Sequence, residues 1–199
     1  MNPFLPAELQ RDLVLASESA RRREILERLG FEFEVLPTGI EEGDIDCRDQ
    51  VEFAKRIAGR KADAARALRP RSRIIAADTI VVCRGERLGK PVDARDAQRM
   101  LEMLSGRRHE VVTGVALAAP GGKRLLEAEV TKVFFRRFSD GEIARYIETG
   151  EPFGKAGAYA IQGFAAPFIR KIEGCYFNVV CLPVALLFGM LARLAETGV

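Results

Sequence analysis

Behind a short apolar run, Leu13 to Ala16, the chain places two serines and three consecutive arginines in Ser17-Glu-Ser-Ala-Arg-Arg-Arg23. These are the residue types of an anion site. Ser19 is a good helix N-cap, and Ile25, Leu26 and Leu29 recur at helical spacing until Gly30 supplies a stop. Arg21, Arg22 and Arg23 therefore fall in a first helical turn. That end is already positive, and each cation there is disfavoured by roughly 0.3–1 kcal/mol. A bound anion reverses the sign, because free N–H groups, hydroxyls and guanidinium forks at a strand-to-helix turn suit phosphate. For Arg21 and Arg22 this polyphosphate grip is favoured over the alternative of a solvated basic turn, and Arg23 is expected in an outer-face i,i+4 pair with Glu27.

Asp78 is the second feature. It interrupts Ile74-Ile-Ala-Ala-Asp-Thr-Ile-Val-Val82, a run apolar on both faces and β-branched, as in a central strand covered on two sides. A carboxylate there costs several kcal/mol unless it is paired or holds a metal. General base, metal ligand or both are its functional roles; a hydrogen-bonded structural aspartate is the alternative. Thr79 faces the other side of a regular strand. Glu41, Glu42, Asp44 and Asp46 crowd a turn-rich segment and offer oxygen ligands for a hard cation such as Mg²⁺, although spacing does not choose between the two glutamates.

Two glycine-flanked lysines resemble P-loops and fail the pattern. In Gly85-Glu-Arg-Leu-Gly-Lys90 and Gly150-Glu-Pro-Phe-Gly-Lys155 the spacing is one residue short and no Ser or Thr follows. A Walker-type NTPase is disfavoured, while point-charge contact with phosphate stays open for each lysine. The Gln162 amide suits either a nucleobase edge or a neighbouring backbone group. His109 is the only histidine and no serine stands in a G-x-S-x-G elbow, which argues against triad hydrolysis and a His-rich zinc site. Carboxylates with a metal, and clustered cations, remain: equipment for water attack on a phosphoanhydride.

The elements that must position these groups follow from periodicity. Strands are expected at 13–16, 31–36, 73–83, 110–119 and 125–138, the last two joined through Gly121-Gly122 as a hairpin. Gln50 to Leu68 is an amphipathic helix with Val51, Ala54, Ile57, Ala58, Ala62 and Ala65 on one stripe and Lys61 within it. A helix capped by Asp93 buries Ala97, Met100, Leu101 and Leu104, and Ser139-Asp-Gly-Glu142 is a capping box opening a helix to Thr149. The Gly150 to Gly163 loop is too glycine-rich to be only a connector. A buried C-terminal helix starts near Pro183.

At 199 residues and 48% hydrophobic content the chain is expected to form one domain. The net charge of +3 is interspersed, so nucleic-acid binding is not expected. Cys47, Cys83, Cys175 and Cys181 show no metal or disulfide spacing and are expected to be reduced thiols of a cytoplasmic protein. Val179 to Ala192 is too short to span a bilayer, and the first residues do not form a secretory signal, so no membrane association is expected.

Five ordered blocks carry a resemblance: Leu15-Ala-Ser-x-Ser-x-Arg-Arg22, Ala77-Asp-Thr-Ile-Val81, Gly89-Lys-Pro-x-Asp93, Leu104-Ser-Gly-x-x-His109 with Thr113-Gly-Val115, and Lys155-Ala-Gly-Ala-Tyr-x-Ile-Gln-Gly163. Over about residues 13–190 the chain resembles the Maf family of nucleoside triphosphate pyrophosphatases. The resemblance implies an α/β fold similar to inosine triphosphate pyrophosphatases, with an elongated mixed sheet flanked by helices and two lobes about a central cleft. It implies hydrolysis of a nucleoside triphosphate to monophosphate and pyrophosphate with Mg²⁺ or Mn²⁺. Asp78 matches the catalytic acceptor and Glu42 a base or metal-associated carboxylate, the two together holding the metal. Lys61, Lys90, Ser17 and Arg22 match phosphate-contacting positions, and Arg21, Thr79 and Gln162 positions associated with substrate choice. The last block resembles the branch acting on dTTP and UTP, and a homodimer is implied. A nucleotide-sensing regulator of cell division, without turnover, and clearance of modified pyrimidine nucleotides are the alternative functions. The chain departs from the family pattern at Ala20 (usually proline), Gly154 (usually aspartate), Ala160 (usually glycine) and Cys181 (usually glycine).

Overall fold

The β-branched runs form a seven-stranded sheet: β1 (Leu13–Leu15), β2 (Phe33–Val35), β3 (Arg73–Cys83), β4 (Glu86–Leu88), β5 (Arg108–Ala118), β6 (Arg124–Phe135) and β7 (Ile169–Glu173), in the order β2-β1-β3-β5-β6-β7 with β4 paired to β3. The protein is described by a computed structural model covering residues 1–40, 45 and 47–196. Strand β1 lies parallel to both β2 and β3, with Leu15 opposite Val35 and Ile75. The sheet is therefore mixed, since β3–β4 and β6–β7 are antiparallel.

Two strands were not evident from the residues. Glu86-Arg-Leu88 is too short to show a period. In β7 the apolar residues Ile169 and Ile172 stand three apart, which contradicts strict alternation. A register shift between Phe134 and Phe135 resolves this: Ile172 pairs with Val133 and Ile169 with Phe135, so both isoleucines lie opposite the buried face of β6.

The helices begin where the sequence places their caps. Ser19 accepts the Arg22 N–H at the start of α1 (Ala20–Arg28), Asp49 caps α2 (Gln50–Leu68), and Asp93 caps α3 (Ala94–Leu104). The capping box of Ser139 and Glu142 opens α4 (Asp140–Glu148). Each such cap is worth about 1 kcal/mol. The short α5 (Tyr176–Val180) and the C-terminal α6 (Val184–Glu196) follow. Helix α3 buries Ala97, Met100, Leu101 and Leu104 as its periodicity predicts. On α2 one expectation fails: Val51 is exposed, and Phe53 begins the buried face.

Chain contacts divide the molecule into two compact units: Met1–Asp78 with Thr113–Glu129 and Cys181–Val199, and Thr79–Val112 with Val130–Val180. In the first, α2 packs small residues, Ala58, Ala62 and Ala65, on Ala76, Ala116 and Ala118 of the sheet. Small side chains bring helix and sheet backbones close. Gly114 completes the fit, because a Cβ there would lie 2.2 Å from the Ala54 carbonyl oxygen. In the second unit, Leu101, Leu104, Val111, Phe135, Tyr146 and Tyr159 are core members, and the rings of Phe135 and Tyr159 meet edge to face at 4.9 Å.

Candidate functional site

Asp78 sits in β3 with 3% of its surface exposed. Its partner comes from α2. Lys61 lies one helical turn from both Ile57 and Ala65, so its aliphatic stem runs down the buried face and its ammonium reaches the sheet. Lys61 Nζ donates to Asp78 Oδ1 at 2.5 Å. The other oxygen, Oδ2, is shielded from solvent and has no hydrogen-bond partner among the described residues. Asp78 is thus not a capping residue. It is a buried carboxylate compensated on one oxygen and left with acceptor capacity on the other, an arrangement native proteins keep where a ligand, water or ion completes it.

The serine–arginine run builds a second cluster. Ala16 still bonds the sheet, its N–H donating to Ile75 C=O at 2.8 Å, and Ser17 then leaves the carboxyl end of β1. Ser17 and Arg22 are both buried. Arg22 Nη1 donates to Ser17 Oγ at 3.0 Å and Nε to the Cys181 carbonyl at 3.1 Å, while Ser17 Oγ also accepts the Ser19 N–H at 3.2 Å. The guanidinium is held edge-on by chain segments far apart in sequence. Cys181 itself adopts φ 136°, a conformation that favours glycine, and its Sγ lies 3.8 Å from Ser19 Oγ. A glycine at this position would carry no such strain. Arg21 is half-buried, and Arg23 is exposed with Glu27 at 3.7 Å, as its spacing predicts. Ala20 opens α1 without needing proline.

The parallel register relates these clusters. Leu15 is level with Ile75, so Ser17 and Asp78 follow two and three residues later along neighbouring parallel strands. In open α/β sheets, ligands collect beyond the carboxyl ends of such strands. Ser17, Arg22, Lys61 and Asp78 all belong to the first unit, with Ser17 just beyond β1 and Asp78 on the adjacent parallel strand β3. Glu42 lies outside the described residues.

Thr79, Lys90 and Gln162 belong to the second unit. Thr79 is half-buried; Lys90 and Gln162 are exposed. The Lys90 turn and the Gln162 loop are tied: the Gly157 N–H donates to Gly89 C=O at 3.0 Å. Gly157 has φ 69°, and a Cβ there would come within 2.9 Å of the Val81 methyls, so the loop can settle on β3 only as glycine. Lys155 turns its ammonium back to the Glu151 carbonyl at 2.6 Å.

Three residues of this unit escaped sequence reasoning. His109, weighed in the sequence only for triad hydrolysis and a zinc site, is a buried anchor: its Nε2 and Tyr159 OH are 2.9 Å apart, and Phe135 meets its ring edge to face. Burial pushes the imidazole down to about 3 and the Tyr159 phenol up. The third is Glu151, whose carboxylate accepts from Tyr146 OH and from the Phe164 N–H, each at 2.9 Å. Apart from their places in the blocks around them, His109 and Tyr159 carry no local signal of this pairing, and Glu151 carries none.

A hard divalent cation fits the donor chemistry. Asp78 Oδ2 is an unpartnered buried carboxylate oxygen. Among the described residues no three His, Cys, Asp or Glu side chains converge, so Asp78 is the described carboxylate that would hold such a cation. Magnesium sites that take one or two carboxylates and complete their shell with substrate phosphates have this character.

The fold is a mixed α/β sheet that carries a buried carboxylate–ammonium pair on β3 and α2 and a buried serine–arginine pair just beyond β1. The chain belongs to the Maf-like protein family, whose model matches residues 12–194. It is 46% identical over 184 residues to a dTTP/UTP pyrophosphatase of Pelotomaculum thermopropionicum, covering 92% of this chain and 96% of that one. It is 52% identical over 173 residues to one of a Geobacter species, covering 86% and 90%. With one of Caldanaerobacter subterraneus it shares 48% over 189 residues, covering 94% and 90%. Among solved structures, a dITP/XTP pyrophosphatase from Mycobacterium abscessus aligns over 93% of this chain and 96% of its own, at 15% identity and a TM-score of 0.43. Among the described residues no helix is long and apolar enough to cross a membrane.

Proposed function

We propose that this protein hydrolyses nucleoside triphosphates, dTTP and UTP above all, to the monophosphate and pyrophosphate. The observation that carries the reading is Asp78: buried, bonded to Lys61 on Oδ1 and unpartnered on Oδ2. The relatives' activity, at up to 52% identity over most of the chain, supports the substrate class.

Asp78 Oδ2 orients a water and takes its proton as the water oxygen bonds to the α-phosphorus. The bond from that phosphorus to the bridging oxygen breaks, and its electron pair leaves with pyrophosphate. Lys61, Arg22 and Lys90 compensate charge developing on the phosphate oxygens, with Ser17 donating at the same end. A divalent cation, Mg²⁺ or Mn²⁺, bound through Asp78 and Glu42 would add positive charge at the phosphates. Arg21, Thr79 and Gln162 select the substrate, with Thr79 and the Gln162 amide meeting the pyrimidine edge.

Pyrophosphate release across dTTP, UTP, CTP, ATP, GTP and 7-methyl-GTP, with Mg²⁺ or Mn²⁺, tests this. Turnover concentrated on dTTP and UTP and abolished in a folded Asp78→Asn variant is the expected result. An active Asp78→Asn protein would overturn the role of Asp78. Nucleotide binding without turnover in the wild type would identify a sensor instead.

A further inference from the structure

We infer that Glu151 is a positioning residue for substrate selection, acting as the clasp that closes the loop bearing Gln162. The inference rests on the pyrophosphatase reading. Glu151 is half-buried at the start of the loop, and its carboxylate reaches the loop's far end. Oε2 accepts the Phe164 N–H at 2.9 Å and Oε1 the Ala165 N–H at 3.3 Å. From outside the loop, Tyr146 OH donates to Oε1 at 2.9 Å. Burial first, and then the Glu151 carboxylate, push the Tyr146 phenol up, so it remains a donor.

Two further contacts show that the clasp is built to close tightly. The Glu151 carbonyl accepts from Lys155, which draws the first turn of the loop to the same point. At the other end, a Cβ on Gly163 would lie 2.0 Å from Glu151 Oε2, so the carboxylate occupies space that any other residue at 163 would fill. Gln162 is the residue immediately before this closure. In the chain it lies between the Tyr159 anchor and the clasp. Closing a loop costs chain entropy, and Glu151 offsets that cost at a single residue, its carboxylate accepting from the far end of the loop and its carbonyl from Lys155. An acceptor on both oxygens suits the site, because Tyr146 OH and the Phe164 and Ala165 N–H groups all donate to the Glu151 carboxylate. An amide would set its own N–H₂ against those donors.

The test uses the full chain with Glu151→Gln and, independently, Gly163→Ala, which obstructs the clasp while keeping its charge. Two readings are taken: steady-state pyrophosphate release from dTTP and UTP, and the rate of tryptic cleavage after Lys155 followed by mass spectrometry. Both variants are expected to be cut faster at Lys155 and to show KM raised about tenfold, the scale of one hydrogen bond to a charged group, with kcat within about threefold. Cleavage at the wild-type rate overturns the clasp. Faster cleavage with unchanged KM overturns its role in selection, as does a fall in kcat at constant KM. A wild-type protein that releases no pyrophosphate overturns the underlying reading, and the cleavage rates still decide whether the clasp exists.

Discussion

The side chains of Lys61 and Asp78 retain only 17% and 5% of their exposure, so each charge depends on the other. Removing one partner of such a pair costs about 3–5 kcal/mol when fully buried, mostly as the penalty of the charge left behind. Lys61→Met is therefore expected to destabilise the fold by about 2–4 kcal/mol. Lys61→Met with Asp78→Asn should recover a large part of that loss. Urea unfolding of the four proteins in the cycle measures the coupling, and simple additivity would mean that the pair is not an energetic unit. These two residues differ in how they announce themselves. Asp78 is legible because a carboxylate breaks an otherwise apolar strand. Lys61 is legible once it is seen on the buried stripe of α2, one turn from Ile57 and Ala65. Glu151 is not, because its partners are mainly backbone N–H groups and a tyrosine brought near by the closed loop, and a backbone donor has no signature in the residue string.

Helices α1, α2, α3 and α4 were readable to within a residue or two, because caps and apolar stripes are local properties. Strands β4 and β7 were not: one is too short, and the other hides its alternation behind a bulge. Gly114 shows a related limit. Its role is invisible in the sequence, since it depends on the α2 backbone lying 2.2 Å from a Cβ that glycine lacks. Gly114→Ala must push α2 off the sheet, at a cost of about 1–3 kcal/mol. As α2 carries Lys61, turnover should fall along with the melting temperature. An unchanged melt with unchanged turnover would show that the helix seat is not what places the lysine.

At the scale of the molecule, the boundaries of the two units were not legible from periodicity, since each is assembled from separated segments and β3, β5 and β6 contribute residues to both. A single titration reports on the whole. The only histidine is buried with its pKa lowered from 6.5 to about 3, so the unfolded chain takes up a proton at a higher pH than the native one. Stability from this group is complete above 6.5 and drains away as the pH falls toward 3, by about 1.4 kcal/mol per unit. The exposed carboxylates with lowered pKa values, such as Glu142 at about 2, lose their contribution only below their ordinary value of 4.5. Between pH 6.5 and 5 the slope therefore belongs to His109. Denaturant unfolding across that interval should slope in the wild type and be flat in His109→Gln; equal slopes would place the proton elsewhere.

Cys181 holds Arg22 through a carbonyl that any amino acid possesses, in a backbone conformation that costs a non-glycine residue about 1–3 kcal/mol. Cys181→Gly is therefore expected to relieve strain while the arginine keeps its anchor, so stability and the hold on Arg22 are separable there despite being neighbours in space.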